Sequence, residues 1–364
     1  MAAIKNIIPF KATHPGILIK DELDVRSDLS QKDLAIELGV KASFLNEIIK
    51  GKRPVTADIA ILLEKALEIP ADYWMKFQSQ YEIDKARVKE KNIKRLKNIE
   101  LWSVIKNYVP VKYFKKQGFF NENLDDDIET VKAIYNVNSI DGLIADFAKS
   151  KFAFYRKSEK LKIDEKNMFA WSSLALYEAK RQMTKAFNYS KINQLSLALN
   201  MVFYENTDTL NRVKETLNNY GVKLILIQKF EKTPIDGFSF WSDNNPAIAL
   251  TLRHNRIDNF AFTLMHEIAH INLHLKESKD QRFLDFSKSK YEDNYEKEAD
   301  NFAQEKLIPK ECWQEVLDKN LSLTDHEINN LGNKYRIHPA ILLGRICYEK
   351  DNYAFKTKID KKLG

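Results

Sequence analysis

The chain has 364 residues, of which 44% are hydrophobic and 30% charged, a balance that excludes a mainly disordered protein. The chain has only 10 glycines and 9 prolines. This scarcity excludes a collagen-like protein and disfavours folds of many strands. The net charge of +7 permits a nucleic-acid partner without requiring one. No run of about 18 apolar residues occurs and no signal peptide is evident, so we expect no membrane partner and a cytoplasmic location.

Changes in composition divide the chain into three predicted parts. Residues 1–97 form a helical domain that ends in a basic connector, residues 98–200 form a helical middle, and residues 201–364 mix helices and strands. The expected fold class is therefore mainly α (α+β), with a small β-sheet confined to the last part. The basic connector, Lys85 to Lys97, is interpreted either as a solvated helical link or as a helix that faces phosphates.

Helical periods in the first part alternate with short breaks. They predict helices over Pro15–Leu23, Gln31–Leu38, Ala42–Ile49 and Ala57–Leu67, and a further helix from Ala71. The second and third of these are short and close together in the sequence. That arrangement is typical of a helix-turn-helix, in which the second helix enters the major groove of DNA.

The residue types between and on these two helices suit that interpretation. Ser30 can cap the first helix, and Gly39 permits a tight left-handed turn before the second. Ser43 and Asn46 can bond base edges, whereas nearby cations suit phosphates. The candidate DNA contacts are Gln31, Lys41, Ser43, Asn46, Lys50, Lys52 and Arg53. The alternative is a small helical bundle that binds protein.

Further motifs extend the match beyond the two helices. His14–Leu23, Leu29–Ala35, Gly51–Pro54 and Ala71–Trp74 follow one another in order. Residues 10–85 thereby resemble the HigA-type antitoxins, within the larger class of Xre-like repressors. The resemblance implies a five-helix DNA-binding domain that works as a homodimer on palindromic, double-stranded operator DNA, and it adds a toxin as a candidate partner.

The last part begins with strands. Val222–Ile227 is rich in β-branched residues, and Gly237–Trp241 with Ala247–Leu252 predicts a hairpin around a turn of polar residues. We expect the hairpin to leave an exposed edge strand, to which the backbone of a peptide could add. Helices are predicted over Asn259–Leu275 and Asn294–Leu307, separated by the polar stretch 276–293.

The first of those helices carries the sequence His266-Glu-Ile-Ala-His270. Residues four apart lie one turn apart on the same helix face, so both imidazoles can reach one zinc ion. Glu267 would then lie beside the metal, where it can act as the general base for a water molecule. A zinc hydrolase also needs a third protein ligand.

The second helix offers that ligand. Its apolar positions define a buried face that Glu296 and Asp300 flank, whereas Glu298 points roughly opposite. We therefore expect Glu296 as the third ligand and Asp300 as a hydrogen-bond partner of a ligand imidazole. The alternative is a solvated acidic helix. His274 is expected to be structural, because eight helical residues span about 12 Å.

The two helices together, Phe262–His274 and Glu296–Pro309, resemble the ImmA/IrrE metallopeptidases. The resemblance covers residues 200–350 and implies a minimal, thermolysin-like zincin fold with one Zn2+ per chain. Several members of that family cleave helix-turn-helix repressors. Carried over to this chain, His266, His270 and Glu296 are the ligands and Glu267 is the base.

The sequence thus predicts a regulator that reads DNA and carries a zinc-dependent endopeptidase. Its protein substrate would be a helix-turn-helix repressor or the chain itself. The alternative is a HigA-like autorepressor whose zinc domain senses a ligand or binds a partner without proteolysis. A digestive protease is disfavoured, because the chain carries a DNA-binding region.

Overall fold

The computed structural model describes residues 11–157, 163–252, 255–286, 294–354 and 356–364. The chain divides into two compact units, Met1–Ser103 and Val104–Gly364. Helices predominate and one small sheet lies in the second unit, which confirms the predicted fold class. No helix among the described residues has the length and apolar character needed to cross a bilayer.

The first unit is built from helices that agree closely with the predicted ones. They are α1 (Gly16–Val25), α2 (Gln31–Glu37), α3 (Ala42–Ile49), α4 (Ala57–Leu67), α5 (Ala71–Arg87) and the start of α6 (Glu90–Tyr108). The core between them is apolar, with Leu34, Leu45, Leu63 and Trp74 fully buried. Most of the basic connector lies within α5 and α6, with a short break between them.

Local chemistry explains where α2 begins and why α3 follows so soon. The Ser30 hydroxyl accepts a hydrogen bond from the Asp33 amide at 3.2 Å, and the Asp33 carboxylate accepts one from the Ser30 amide at 3.3 Å. This reciprocal pair satisfies amides that the helix leaves free. Gly39 adopts φ +65°, a left-handed conformation that costs glycine little. The chain therefore turns within a few residues and starts α3.

The second unit surrounds its sheet with helices. Before the sheet come α7 (Val111–Lys116), α8 (Leu124–Tyr135), α9 (Ile140–Lys157), α10 (Glu165–Arg181), a 3-10 turn (Tyr189–Lys191), α11 (Ile192–Glu205) and α12 (Thr209–Asn219). The strands are β1 (Lys223–Ile227), β2 (Ile235–Ser242), β3 (Asn245–Thr251) and β4 (Arg282–Phe286). The remaining helices are α13 (Ile257–Ala269), α14 (Asn294–Leu307), α15 (Lys310–Asp318), α16 (Asp325–Tyr335) and α17 (Pro339–Glu349). The division into 1–97, 98–200 and 201–364 stays a prediction.

The sheet has the order β1-β3-β2-β4, with β1 parallel to β3 and the other pairs antiparallel. The predicted hairpin is present as β2 and β3. The prediction that this hairpin leaves an exposed edge strand is wrong for the described residues, because β4 pairs with the outer side of β2. Strand β4 lies inside the stretch 276–293, in which the sequence indicates only a polar segment. Five residues are too short a run to stand out by periodicity.

Helix α13 runs through the centre of this unit and packs against β2, α14 and α17. It was predicted to continue to Leu275, but the last turns, His270–His274, form a π-helix. Such wide turns are frequent at functional sites. The two cysteines, Cys312 and Cys347, are buried in the surrounding core as free thiols. The fold therefore holds one face of α13 against the sheet and turns another towards α14.

Candidate functional site

Three side chains predicted as metal ligands meet between α13 and α14. The Nε2 atoms of His266 and His270 are 3.0 Å apart, and Glu296 Oε2 lies 3.1 Å and 3.7 Å from them, respectively. Zinc bound tetrahedrally at 2.0–2.1 Å would need ligand atoms about 3.4 Å apart. The three atoms therefore converge at spacings that suit one metal ion without rearrangement of the helices.

Each imidazole has its other ring nitrogen held in place. His266 Nδ1 lies 2.9 Å from an Asp300 carboxylate oxygen. His270 Nδ1 lies 2.9 Å from His274 Nδ1, and His274 Nε2 lies 3.1 Å from Glu298 Oε2. With a metal at the site, one set of protons would satisfy these three contacts, with both ligand rings donating from Nδ1 and His274 donating from Nε2. The Nε2 lone pairs of His266 and His270 would then face the metal.

The expected general base, Glu267, is fully buried beside this cluster. The Ser239 hydroxyl donates to its Oε2 at 2.5 Å, whereas its Oε1 has no hydrogen-bond partner among the described residues. Gly237 makes room for Oε1, because a Cβ at that position would lie 1.9 Å from it. A buried carboxylate oxygen without a donor is costly, so a water molecule or a substrate group is the expected partner.

A carboxylate that the sequence did not predict also reaches the cluster. Asp285, on β4, has an oxygen within 4.8 Å of ligating atoms of both His266 and Glu267. Burial raises the pKa of Asp285 to about 6. No periodicity or motif marked this residue, and the same holds for Ser239 and Gly237. Only the pairing of β2 with β4 and with α13 brings the three together.

The surroundings shift the pKa values within the centre in different directions. Burial raises the pKa of Glu267 well above its ordinary value and lowers that of His270 to about 4. Burial also disfavours the imidazolium of His266, but hydrogen bonds with Asp300 and Glu296 outweigh it and raise its pKa. Despite burial, the two imidazoles lower the pKa of Glu296. His270 is therefore neutral and Glu296 ionised, which are the forms that bind metals.

The predicted DNA contacts lie on α2, on α3 and in the segments immediately before and after α3. Five of them are exposed and two are partly buried. The exposed residues are Lys41, Ser43, Lys50, Lys52 and Arg53, and the partly buried ones are Gln31 and Asn46. Ser43 and Asn46 are three residues apart on α3 and so share one face of the helix. This face is the expected reader of base edges.

Arg53 has a more constrained position than the lysines around it. Its guanidinium forms an ion pair with Glu47 and lies 5.2 Å from the centre of the Phe44 ring. These contacts fix the loop after α3 onto the helix. Within this loop, Gly51 adopts φ +68°. The structure thus gives Arg53 a structural role in addition to its expected contact with a phosphate.

Comparison with known proteins assigns both units. Residues 19–74 match the helix-turn-helix family, and residues 219–346 match the IrrE N-terminal-like domain. Virulence-associated protein I of Dichelobacter nodosus is 34% identical over 89 residues, which are 24% of this chain and 81% of that protein. The chain belongs to the helix-turn-helix family and also contains an IrrE-like domain. The resemblances predicted from its motifs are confirmed.

Other relatives of this fusion protein match its N-terminal part. Virulence-associated protein A' of Dichelobacter nodosus is 37% identical over 71 residues, which are 19% of this chain and 61% of that protein. A solved HigA-family addiction module antidote protein from Coxiella burnetii is 29% identical, covering 24% of this chain and 92% of its own, with a TM-score of 0.22. Pseudomonas aeruginosa antitoxin HigA with the higBA promoter is 34% identical, covering 24% and 91%, with the same TM-score of 0.22.

Residues 219–346 match the IrrE N-terminal-like domain of a metallopeptidase family, and the convergence of two histidines and a glutamate fits a metal site. The identity of the metal and the roles of single residues stay predictions. So do the DNA contacts, although the domain that carries them is assigned.

Proposed function

We propose that this chain is a DNA-binding transcriptional regulator that carries a zinc-dependent endopeptidase. The observation that carries the proposal is the convergence of His266, His270 and Glu296 beside the buried Glu267, in a chain that also contains a helix-turn-helix. Two imidazoles and one carboxylate form the ligand set of catalytic zinc in several peptidases, where a fourth position is open. We expect one zinc ion per chain.

The protein's own groups supply the acid–base chemistry. Bound zinc would polarise the scissile carbonyl and make water acidic at neutral pH. The Oε1 atom of Glu267, which has no partner among the described residues, takes the proton of the attacking water and passes it to the nitrogen of the leaving amine. Ser239 holds the other carboxylate oxygen and keeps Oε1 directed at the reacting groups.

The N-terminal unit would recognise the DNA site. Helix α3 would enter the major groove of operator DNA, with Ser43 and Asn46 at base edges and Lys50 and Lys52 at phosphates. A homodimer would place two such helices on a palindromic site. A peptidase joined to a DNA reader acts where its regulatory target is bound, so the expected substrate is a helix-turn-helix repressor or this chain itself. A toxin is a further candidate partner.

A second function is supported by a specific observation. Asp285 brings a further acidic side chain within 4.8 Å of ligating atoms of His266 and Glu267. A metal enclosed by protein carboxylates and imidazoles is a structural or sensing site rather than a catalytic one. On this view the chain is a HigA-like autorepressor whose zinc domain senses a ligand or binds a partner without cleaving it.

Metal content tests the proposed ligand set. Purified protein should contain about one zinc per chain. His266→Ala, His270→Ala or Glu296→Ala should remove it, and Glu267→Gln should retain it because the base is not a ligand. Glu298→Ala is the matched control for Glu296, since it lies on the same helix and bonds His274 instead. Loss of zinc from Glu298→Ala alone would contradict the assignment.

Cleavage in cells separates the two functions. New protein N-termini would be compared by mass spectrometry between cells that express the wild-type chain and cells that express Glu267→Gln. The peptidase proposal expects termini that occur only with the wild type. Identical sets of termini, with zinc bound to both chains, would overturn it in favour of the sensing function.

A further inference from the structure

Strand β4 lies along the part of β2 that is next to the general base. The register pairs Gly237 with Asp285 and Ser239 with Phe283. Gly237 and Ser239 are the two β2 residues that accommodate the Glu267 carboxylate. The backbone of β4 therefore runs past the proposed reaction centre as an extended strand.

Alternate side chains of β4 face the centre, because strand residues two apart lie on one face. The Phe283 ring stacks on His270, with centroids 4.6 Å apart and planes inclined by 15°, and is 5.2 Å from the His274 ring. Asp285 reaches within 4.8 Å of His266 and Glu267. Leu284, between them, belongs to the opposite face. The strand thus places an aromatic group and a carboxylate at a centre that a substrate would have to reach.

The segment that leads into β4 contacts two stacked aromatic rings, Trp241 near the end of β2 and Tyr189. The Lys279 ammonium lies 4.4 Å from the Trp241 ring, and the Lys276 ammonium lies 5.8 Å from the Tyr189 ring. Contacts between a cation and an aromatic face are weak at exposed positions. Strand β4 also pairs with one strand only, and sheet edges open more readily than sheet centres. These contacts would hold the segment reversibly.

We propose that β4 is a built-in occupant of the peptide-binding edge of β2, and that an extended peptide substrate takes its place when β4 leaves. Extended peptides bind sheet edges through backbone hydrogen bonds. A peptide added outside β4 would lie about 4.8 Å farther from Glu267 than β4 does, because that is the spacing of strands. The edge of β2 is therefore the productive one. This inference rests on the proposed peptidase function, which it deepens.

Peptide binding tests the proposal without relying on catalysis. The probe is a fluorescent synthetic peptide of residues 280–286, and the chain carries Glu267→Gln so that the probe is not cut. In this background Leu284→Pro should weaken the pairing of β4, because proline removes a backbone donor and disfavours interior strand positions. Leu284→Val retains the strand and is the matched control.

Fluorescence anisotropy should show that the probe binds the Leu284→Pro chain at least tenfold more tightly than the chain with native Leu284 or with Leu284→Val. A probe that itself carries proline at that position should not bind any of them. Equal affinity for all chains, or no binding to Leu284→Pro, would overturn the proposal. Zinc content is measured separately, so failure of this inference is distinguishable from failure of the proposed function.

Amide hydrogen exchange identifies the edge that the probe occupies. In the complex with Leu284→Pro, the amides of β2 should be protected while those of 282–286 exchange quickly. Greater protection of 282–286 on binding would mean that the probe adds outside β4, which contradicts the proposal. If Leu284→Pro loses helical circular dichroism, Lys279→Ala replaces it, with Lys279→Arg as control. A gain of about threefold is expected there, and no gain over Lys279→Arg would overturn the proposal.

Discussion

His274 contacts His270, one of the two predicted histidine ligands. It is eight residues from His266, about 12 Å along a helix, so the two rings cannot share one metal ion. Its Nδ1 nevertheless lies 2.9 Å from His270 Nδ1, and its other nitrogen is 3.1 Å from Glu298. The wide π-helical turn brings these two rings together. We therefore expect His274 to position the His270 ring and to favour the proton arrangement that leaves His270 Nε2 free to bind.

His274→Ala should weaken zinc binding by about 10- to 100-fold, the usual cost of losing a partner behind a metal ligand. Glu298→Gln should have a smaller effect, since Glu298 is exposed and water can replace it. Competition with a chelator of known affinity measures both. His326→Ala, which removes an exposed histidine of α16, is the control and should leave the affinity unchanged. Unchanged zinc affinity in His274→Ala would show that the contact has no positioning role.

Two substitutions in the N-terminal unit should separate base reading from phosphate binding. In the full-length chain, Asn46→Ala should weaken binding to the chain's own promoter by about 10- to 100-fold and leave binding to random DNA almost unchanged. Lys52→Ala should weaken binding to both and reduce the slope of log affinity against log salt by about one. Titrations at several salt concentrations measure these quantities. If Asn46→Ala lost the same affinity for promoter DNA and for random DNA, a base contact by Asn46 would be excluded.

At the scale of elements, sequence patterns predicted the parts of the site that depend on local spacing. His266 and His270 are four residues apart, and Glu296 and Asp300 are likewise four apart, so one helix period places each pair. Strand β4 and the contacts of Ser239 with Glu267 depend on pairing between distant segments. A strand of five residues has no periodic signal of its own until β2 lies beside it. For that reason, the prediction that the β2–β3 hairpin leaves an exposed edge strand was wrong.

Close packing between α1 and α3 offers a test at the same scale. A Cβ at Gly16 would lie 2.1 Å from the Ile48 carbonyl oxygen, whereas nothing lies within 4 Å of one at Gly39. Gly16→Ala should therefore destabilise the first unit by about 3 kcal/mol through a backbone clash. Gly39→Ala should cost only about 1 kcal/mol, the strain of a left-handed residue. Urea unfolding followed at amide signals of α1 to α4 compares the stability of the two variants. An equal loss of unfolding free energy in both would contradict the close approach of α1 to α3.

At the scale of the whole molecule, one chain joins a DNA reader to a peptidase-family domain. Such a fusion fixes the ratio of the two at one to one and brings the IrrE-like domain to every site that the reader occupies. Cleavage anywhere between the two domains would release the reader from the rest of the chain. Two polar stretches are candidate cleavage sites, Lys85 to Lys97 and Lys157 to Asn167, and residues 158–162 of the second lie outside the described residues. The first is mostly helical in the structure, with Val88 and Lys89 between α5 and α6, so a peptidase would have to unwind it locally.

Self-cleavage at either stretch should release an N-terminal fragment of about 90–165 residues when the promoter is derepressed in cells. Glu267→Gln should abolish the fragment and keep the promoter repressed, because it removes the base but not the metal ligands. A blot against the N-terminus, read beside a promoter reporter, measures both in the same culture. A wild-type chain that stays full length during derepression would assign the substrate role to another protein. Derepression by Glu267→Gln to the same extent would mean that no cleavage at this centre is needed, and the chain would then regulate by sensing or binding alone.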